Sequence, residues 1–93
     1  MTHPKHRAIQ KITVHLFSAL SHPQGGSGAL KQARDALWSS QGALSTEEFA
    51  QFERWIDAAE GMGTDSGQCA ALTARIEDYL RDRYPWWSRG ARW

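Results

Sequence analysis

A chain of 93 residues has room for one small domain, and a domain of this size is marginally stable unless something supports it. Its 11 basic and 10 acidic residues give a net charge of +1, which argues against a strongly acidic DNA mimic and a general nucleic-acid coat. A single cysteine excludes an internal disulfide bond. The first ten residues, MTHPKHRAIQ, lack the apolar stretch of a secretory signal, and no run of about 18 apolar residues occurs, so we expect a cytoplasmic protein.

The first two predicted helices span residues 4–20 and 29–41. In both, apolar side chains recur every three or four positions, the spacing that places them on one face of a helix. The first face consists of Ile9, Ile12, Leu16 and Leu20, and the second of Leu30, Ala33 and Leu37, with Trp38 beside it. The stretch SHPQGGSG separates the two helices, because its proline and glycines disfavour a continuing helix.

The third predicted helix, residues 46–60, has the clearest start signal in the chain. In STEEF, the Ser45 side chain can cap the helix while the Glu48 carboxylate reaches back to the Ser45 amide. The fourth predicted helix spans residues 66–84 and ends before Pro85, because the residue that precedes a proline avoids the α region. The apolar faces of these two helices consist of Phe49, Phe52, Ile56 and Ala59, and of Cys69, Leu72, Ile76, Tyr79 and Leu80.

No segment alternates apolar and polar residues for long enough to form a strand. The sequence therefore predicts an all-α fold, a compact four-helix domain over residues 1–84. Residues 85–93 form an aromatic and basic C-terminal tail.

No catalytic or metal-binding pattern stands out. The four histidines lack an HExxH motif or paired cysteines, whereas a zinc site needs three or four converging ligands. The stretch GGSGALK does not have the spacing of a phosphate-binding P-loop, and we interpret it as a helix connector, with weak anion binding at its amides left open. The carboxylates of the third helix are predicted to face solvent, which argues against a general acid and base. We expect no enzymatic activity, no cofactor and no metal.

The C-terminal stretch YPWWSRGARW holds three of the five tryptophans and two arginines, the residue types that most often anchor protein interfaces. Neighbouring side chains of an extended chain point in opposite directions. We therefore expect one of Trp86 and Trp87 to pack on the domain and the other to stay available for a partner, together with Arg89, Arg92 and Trp93. The opposing hypothesis is that the tryptophans fold back over the helices and complete the core.

A second candidate surface is the third helix, where Glu47, Glu48 and Glu53 are predicted to bind a partner. They lie in the acidic middle of an unevenly charged chain. Residues 1–34 carry five basic residues and no acidic one, whereas residues 35–65 carry seven acidic residues and a single arginine. Attraction between segments of the same chain also explains such a pattern.

These observations predict a small non-enzymatic helical protein that binds another protein as an inhibitor or adaptor. Compact chains of this kind are common among phage and mobile-element products, and we infer such an origin from the size and fold class of the chain alone. The alternative is a nucleic-acid-binding regulator that uses the basic N-terminal segment and the Trp/Arg tail, and steep salt dependence would identify it. No membrane partner is expected, because two arginines attract anionic lipid weakly. A homo-oligomer is left open.

Overall fold

The computed structural model describes residues 4–21, 27–62 and 65–87, and all of its secondary-structure elements are helical. Four helices follow one another: α1 (Pro4–Ser21), α2 (Ser27–Ser39), α3 (Thr46–Met62) and α4 (Ser66–Arg83). A short 3₁₀ turn, Gln41–Ala43, joins α2 to α3. The all-α prediction is confirmed, and no strand occurs within the described ranges.

The starts of α1, α3 and α4 coincide with the predicted ones, and the other helix boundaries differ by one or two residues. The largest differences are at α2, which begins and ends two residues before the predicted limits, and at the end of α3, which continues two residues further to Met62. The chain leaves the α conformation after Ser39 because the Ser40 amide is shared between the Ala36 and Leu37 carbonyls, at 3.0 and 3.2 Å, which tightens the last turn.

The core lies along α1, which packs against the other three helices. The predicted faces of the helices are buried there, as their three- and four-residue spacing requires. The largest fully buried apolar side chains are Ile9, Ile12, Leu16, Leu37, Phe52, Ile56, Ile76 and Leu80. Three residues of the predicted faces, Leu30, Phe49 and Tyr79, are only half-buried at the edge of this core.

Side chains cap the starts of α3 and α4, and these caps fix where each helix begins. The Ser45 amide donates to Glu48 Oε1 at 2.9 Å, and the Glu48 amide donates to Ser45 Oγ at 3.1 Å, so the predicted capping box is present. At α4, the Asp65 carboxylate accepts a hydrogen bond from the Gln68 amide at 3.0 Å. Of the described helices, none has the length and apolar character needed to cross a bilayer.

Candidate protein-binding surfaces

The start of the C-terminal tail belongs to the packed domain. Trp87 is only 4% exposed. Its ring centroid lies 5.8 Å from that of Phe17, and its indole N–H donates to Thr13 Oγ1 at 3.5 Å. The prediction that Trp87 binds a partner is therefore corrected: its side chain fills space against α1 and presents almost no surface to solvent. The packed region extends three residues beyond the predicted domain limit at residue 84.

Trp86 is half-buried on the outside of the same region. Its ring stacks on His6 with centroids 3.9 Å apart and an interplanar angle of 25°, and it lies 5.6 Å from the ring of Tyr84. Trp87 is thus the tryptophan that packs fully on the domain, but Trp86 is also partly packed against the core, which agrees with the opposing hypothesis that the tryptophans fold back over the helices. The other predicted tail residues, Arg89, Arg92 and Trp93, lie outside the described residues.

Glu48 points into the domain instead of toward solvent, so its predicted role at a partner surface needs correction. Its side chain is 12% exposed. It accepts hydrogen bonds from the Tyr84 hydroxyl at 2.5 Å and from the Ser45 amide, and Lys5 Nζ lies 3.1 Å from its Oε1 atom. The carboxylate thus ties together the start of α1, the start of α3 and the residue that follows α4.

The electrostatics of Glu48 follow from these partners. Burial alone would raise the pKa of the carboxyl, but the hydrogen bonds from Tyr84, Ser45 and Lys5 outweigh it and lower this pKa to about 2. Burial and the adjacent Glu48 charge both raise the pKa of Tyr84, whose hydroxyl stays a hydrogen-bond donor. These contacts stabilise the ionised carboxylate, so Glu48 is suited to a structural role.

The other two predicted glutamates are more accessible. The side chain of Glu47 is 80% exposed, and its Oε1 atom lies 3.6 Å from Arg83 Nη2, a weak surface ion pair. Glu53 is half-buried and forms no ion pair within the described ranges. It follows Phe49 by one turn of α3, so both side chains lie on the same face of that helix.

An aromatic pair between α2 and α3 contains Trp38, the most exposed tryptophan of the described residues. Trp38 is 51% exposed and contacts Phe49 edge-on, with ring centroids 4.9 Å apart and an interplanar angle of 77°. Because Glu53 shares the face of Phe49, the three side chains form one surface, which we call the aromatic–acidic ridge. The sequence placed Trp38 only beside the buried face of α2. That position at the margin of the face is the feature from which its exposure could have been predicted.

The ridge continues along the α2–α3 boundary into a set of paired charges. Arg34, one turn before Trp38, donates to Asp57 at 2.8 Å and to Glu60 at 2.6 Å. The hydrogen bonds to these two carboxylates raise the pKa of Arg34, so its charge is permanent. Glu53 is therefore the carboxylate of this boundary that is left to meet an external cation.

A basic groove lies on the other flank of α2, between α1, the end of α2 and the 3₁₀ turn. Its volume is about 500 Å³, and no aspartate or glutamate lines it. Arg7, Lys11 and His15 recur every four residues along α1 and rim one side, Ser39 and Ser40 form part of the other side, and the 54%-exposed Val14 contributes apolar surface. Sequence reasoning identified Arg7 and Lys11 only as part of a basic N-terminal segment.

The two basic side chains of the groove, Arg7 and Lys11, lack a counter-charge within the described residues. Within the described ranges neither Arg7 nor Lys11 forms an ion pair, whereas Lys5, Arg34 and Arg83 each contact a carboxylate. The groove therefore presents an uncompensated positive rim around an apolar recess, an arrangement that favours an anionic group with an apolar neighbour.

Cysteine and metal-ligand chemistry is not apparent in the described part of the chain. Cys69 is buried in the core as a small apolar side chain. Residues 4–21, 27–62 and 65–87 contain no group of three histidine, cysteine, aspartate or glutamate side chains placed to hold a metal ion. Comparisons of the chain with protein-family models, with curated proteins and with solved structures produce no match.

Proposed function

We propose that this protein acts without catalysis, by binding another protein through the aromatic–acidic ridge, as an inhibitor or adaptor of the kind that phages and mobile elements encode. The observation that supports this proposal is the exposure of Trp38. Trp55 and Trp87 are buried and Trp86 is half-buried, whereas about half of the Trp38 side chain faces solvent. Tryptophan is the residue type most enriched among the side chains that dominate binding energy at interfaces.

The contact with Phe49 makes Trp38 a suitable anchor. An indole held edge-on against a neighbouring ring has fewer orientations to lose when a partner binds, so more of its contact energy contributes to affinity. Glu53 adds a negative charge on the same face. The partner surface that fits this ridge is an apolar pocket with a lysine or arginine at its edge.

Site-specific cross-linking tests this proposal. A photoreactive amino acid placed at position 38 should cross-link a protein in a lysate of the source cells, whereas the same group at position 75, an exposed site on α4, should not. Mass spectrometry identifies the cross-linked protein, and its affinity for the purified chain is then measured. Trp38→Ala should weaken that affinity by about tenfold or more, and Arg75→Ala should leave it unchanged.

Two results would contradict the proposal. The first is the absence of any protein cross-link specific to position 38. The second is an identified partner whose affinity is the same for Trp38→Ala and for the unaltered chain, because the ridge would then contribute nothing to binding.

The uncompensated cations of the basic groove support a second candidate, the binding of nucleic acid. Arg7 and Lys11 would contact phosphates, and binding would then weaken steeply as salt rises, since each neutralised phosphate releases counterions. Titration of a fluorescent duplex and of a single strand at several salt concentrations tests this candidate. A flat salt response, or no binding at low salt, removes it.

A further inference from the structure

The aromatic–acidic ridge and the basic groove are complementary to each other. The ridge exposes about half of the Trp38 indole, and Glu53 lies one turn of α3 beyond Phe49, the residue whose ring the indole contacts. The groove is a recess of about 500 Å³ that exposes Val14 and is rimmed by cations, with no carboxylate in its lining. The ridge therefore offers an exposed apolar side chain and a carboxylate, and the groove offers an apolar recess and cations, so their charges are opposite.

Both surfaces border the same end of α2. Trp38 belongs to the ridge, and the next two residues, Ser39 and Ser40, line the groove. Successive residues on a helix are about 100° apart, so the ridge and the groove flank α2 on the sides that face α3 and α1, respectively. Two complementary patches that border one element are near enough to share one interface, and in a two-fold interface each patch of one copy meets the other patch of the second copy.

We propose that two copies of this chain form a two-fold symmetric dimer in which the Trp38 indole of each copy enters the basic groove of the other. Glu53 then lies against Lys11 or Arg7 of the facing copy, so the contact is made twice. This inference rests on the proposed function, because it requires the ridge to be a protein-binding surface; it names a second copy of the chain as the occupant, which a partner of different sequence would have to displace.

The dimer accounts for several features together. It covers both the 51%-exposed Trp38 and the 54%-exposed Val14, and it supplies counter-charges to Lys11 and Glu53, which have none within the described ranges. It also stabilises a domain that is small for a single hydrophobic core, since association favours the folded state.

A charge-swap experiment on the full chain tests the dimer. Lys11→Glu alters the groove and Glu53→Lys alters the ridge, and both side chains lie outside the core, so circular dichroism should show unchanged folding. Sedimentation equilibrium should give a dimer for the unaltered chain at micromolar concentrations and about tenfold or more weaker association for each variant alone. A one-to-one mixture of the two variants should recover the dimer, because one of its two contacts then keeps the original charges and the other joins the reversed ones.

The control pair is Arg75→Glu and Asp78→Lys, the same charge reversals at exposed positions of α4, which should associate like the unaltered chain. Three results would overturn the inference: a monomer at every concentration, a mixture of the ridge and groove variants that associates no better than either alone, or oligomers that grow beyond two copies. If the chain is monomeric while position 38 still cross-links a different protein, the dimer is refuted and the proposed function stands.

Discussion

The adjacent tryptophans Trp86 and Trp87 provide an internal comparison for the packing of the chain on α1. We predict that Trp87→Ala lowers the free energy of unfolding far more than Trp86→Ala does, although the two substitutions remove the same side chain. Trp87 is 4% exposed and contacts Phe17 and Thr13, whereas Trp86 is half-buried and lies over His6.

The magnitude follows from burial. A tryptophan side chain buries about 150–250 Å², which corresponds to about 4–6 kcal/mol at ~25 cal/mol per Å² as an upper bound, and tryptophan-to-alanine substitutions in cores typically lose about 3–5 kcal/mol. We therefore expect Trp87→Ala to lose about 4 kcal/mol. Trp86→Ala should lose about 1–2 kcal/mol, because only part of its area is buried and the remaining contribution is one ring stack.

Urea denaturation of the full chain, followed by circular dichroism at neutral pH, measures both values. A loss of about 4 kcal/mol is a large fraction of the roughly 5–15 kcal/mol that stabilises a typical domain, so Trp87→Ala should unfold at a much lower urea concentration. Equal losses for the two variants, or a loss below about 1 kcal/mol for Trp87→Ala, would refute the assignment of Trp87 to the core.

Three further predictions concern the helix ends and the surface. Glu48→Gln should lower stability by about 1–3 kcal/mol at pH 7. The pKa of Glu48 is about 2 in the folded chain, below the usual 4.5, so its contribution to stability is complete above pH 4.5 and is lost as the pH falls toward 2. The difference in stability between the variant and the unaltered chain should therefore shrink over that pH range. A difference independent of pH would contradict this account. A chain that ends at residue 84 should melt several degrees below one that ends at residue 87, as differential scanning calorimetry would show, and equal melting temperatures would contradict the core position of Trp87. Arg34→Gln should lose only about 0.5–1 kcal/mol, measured by urea denaturation, and less in about 1 M salt, and a loss independent of salt would argue against its two ion pairs.

The features that could be predicted from the sequence depend on residues that lie close together along the chain. Spacing alone identified the buried faces of the four helices, because the α-helical repeat fixes which side chains share a face. The capping box between Ser45 and Glu48 was also predictable, since its two residues lie three positions apart.

The features that the sequence did not predict depend on how the helices pack. Glu48 was expected at the surface because it belongs to an acidic helix. The charges of one helix give no information about Tyr84, which is 36 positions away and donates a hydrogen bond to the Glu48 carboxylate. The exposure of Trp38 likewise depends on the angle at which α3 meets α2. The basic groove exists because the end of α2 lies beside Arg7 and Lys11, which are four residues apart on α1.

The stacking of His6 on Trp86 brings together the two ends of the described chain, with ring centroids 3.9 Å apart. Closing a loop of about 80 residues costs about 4 kcal/mol of chain entropy, so this contact is expected to form only after the intervening helices have shortened the path. Docking of the tryptophans is then a late folding event, and their loss should accelerate unfolding more than it slows folding.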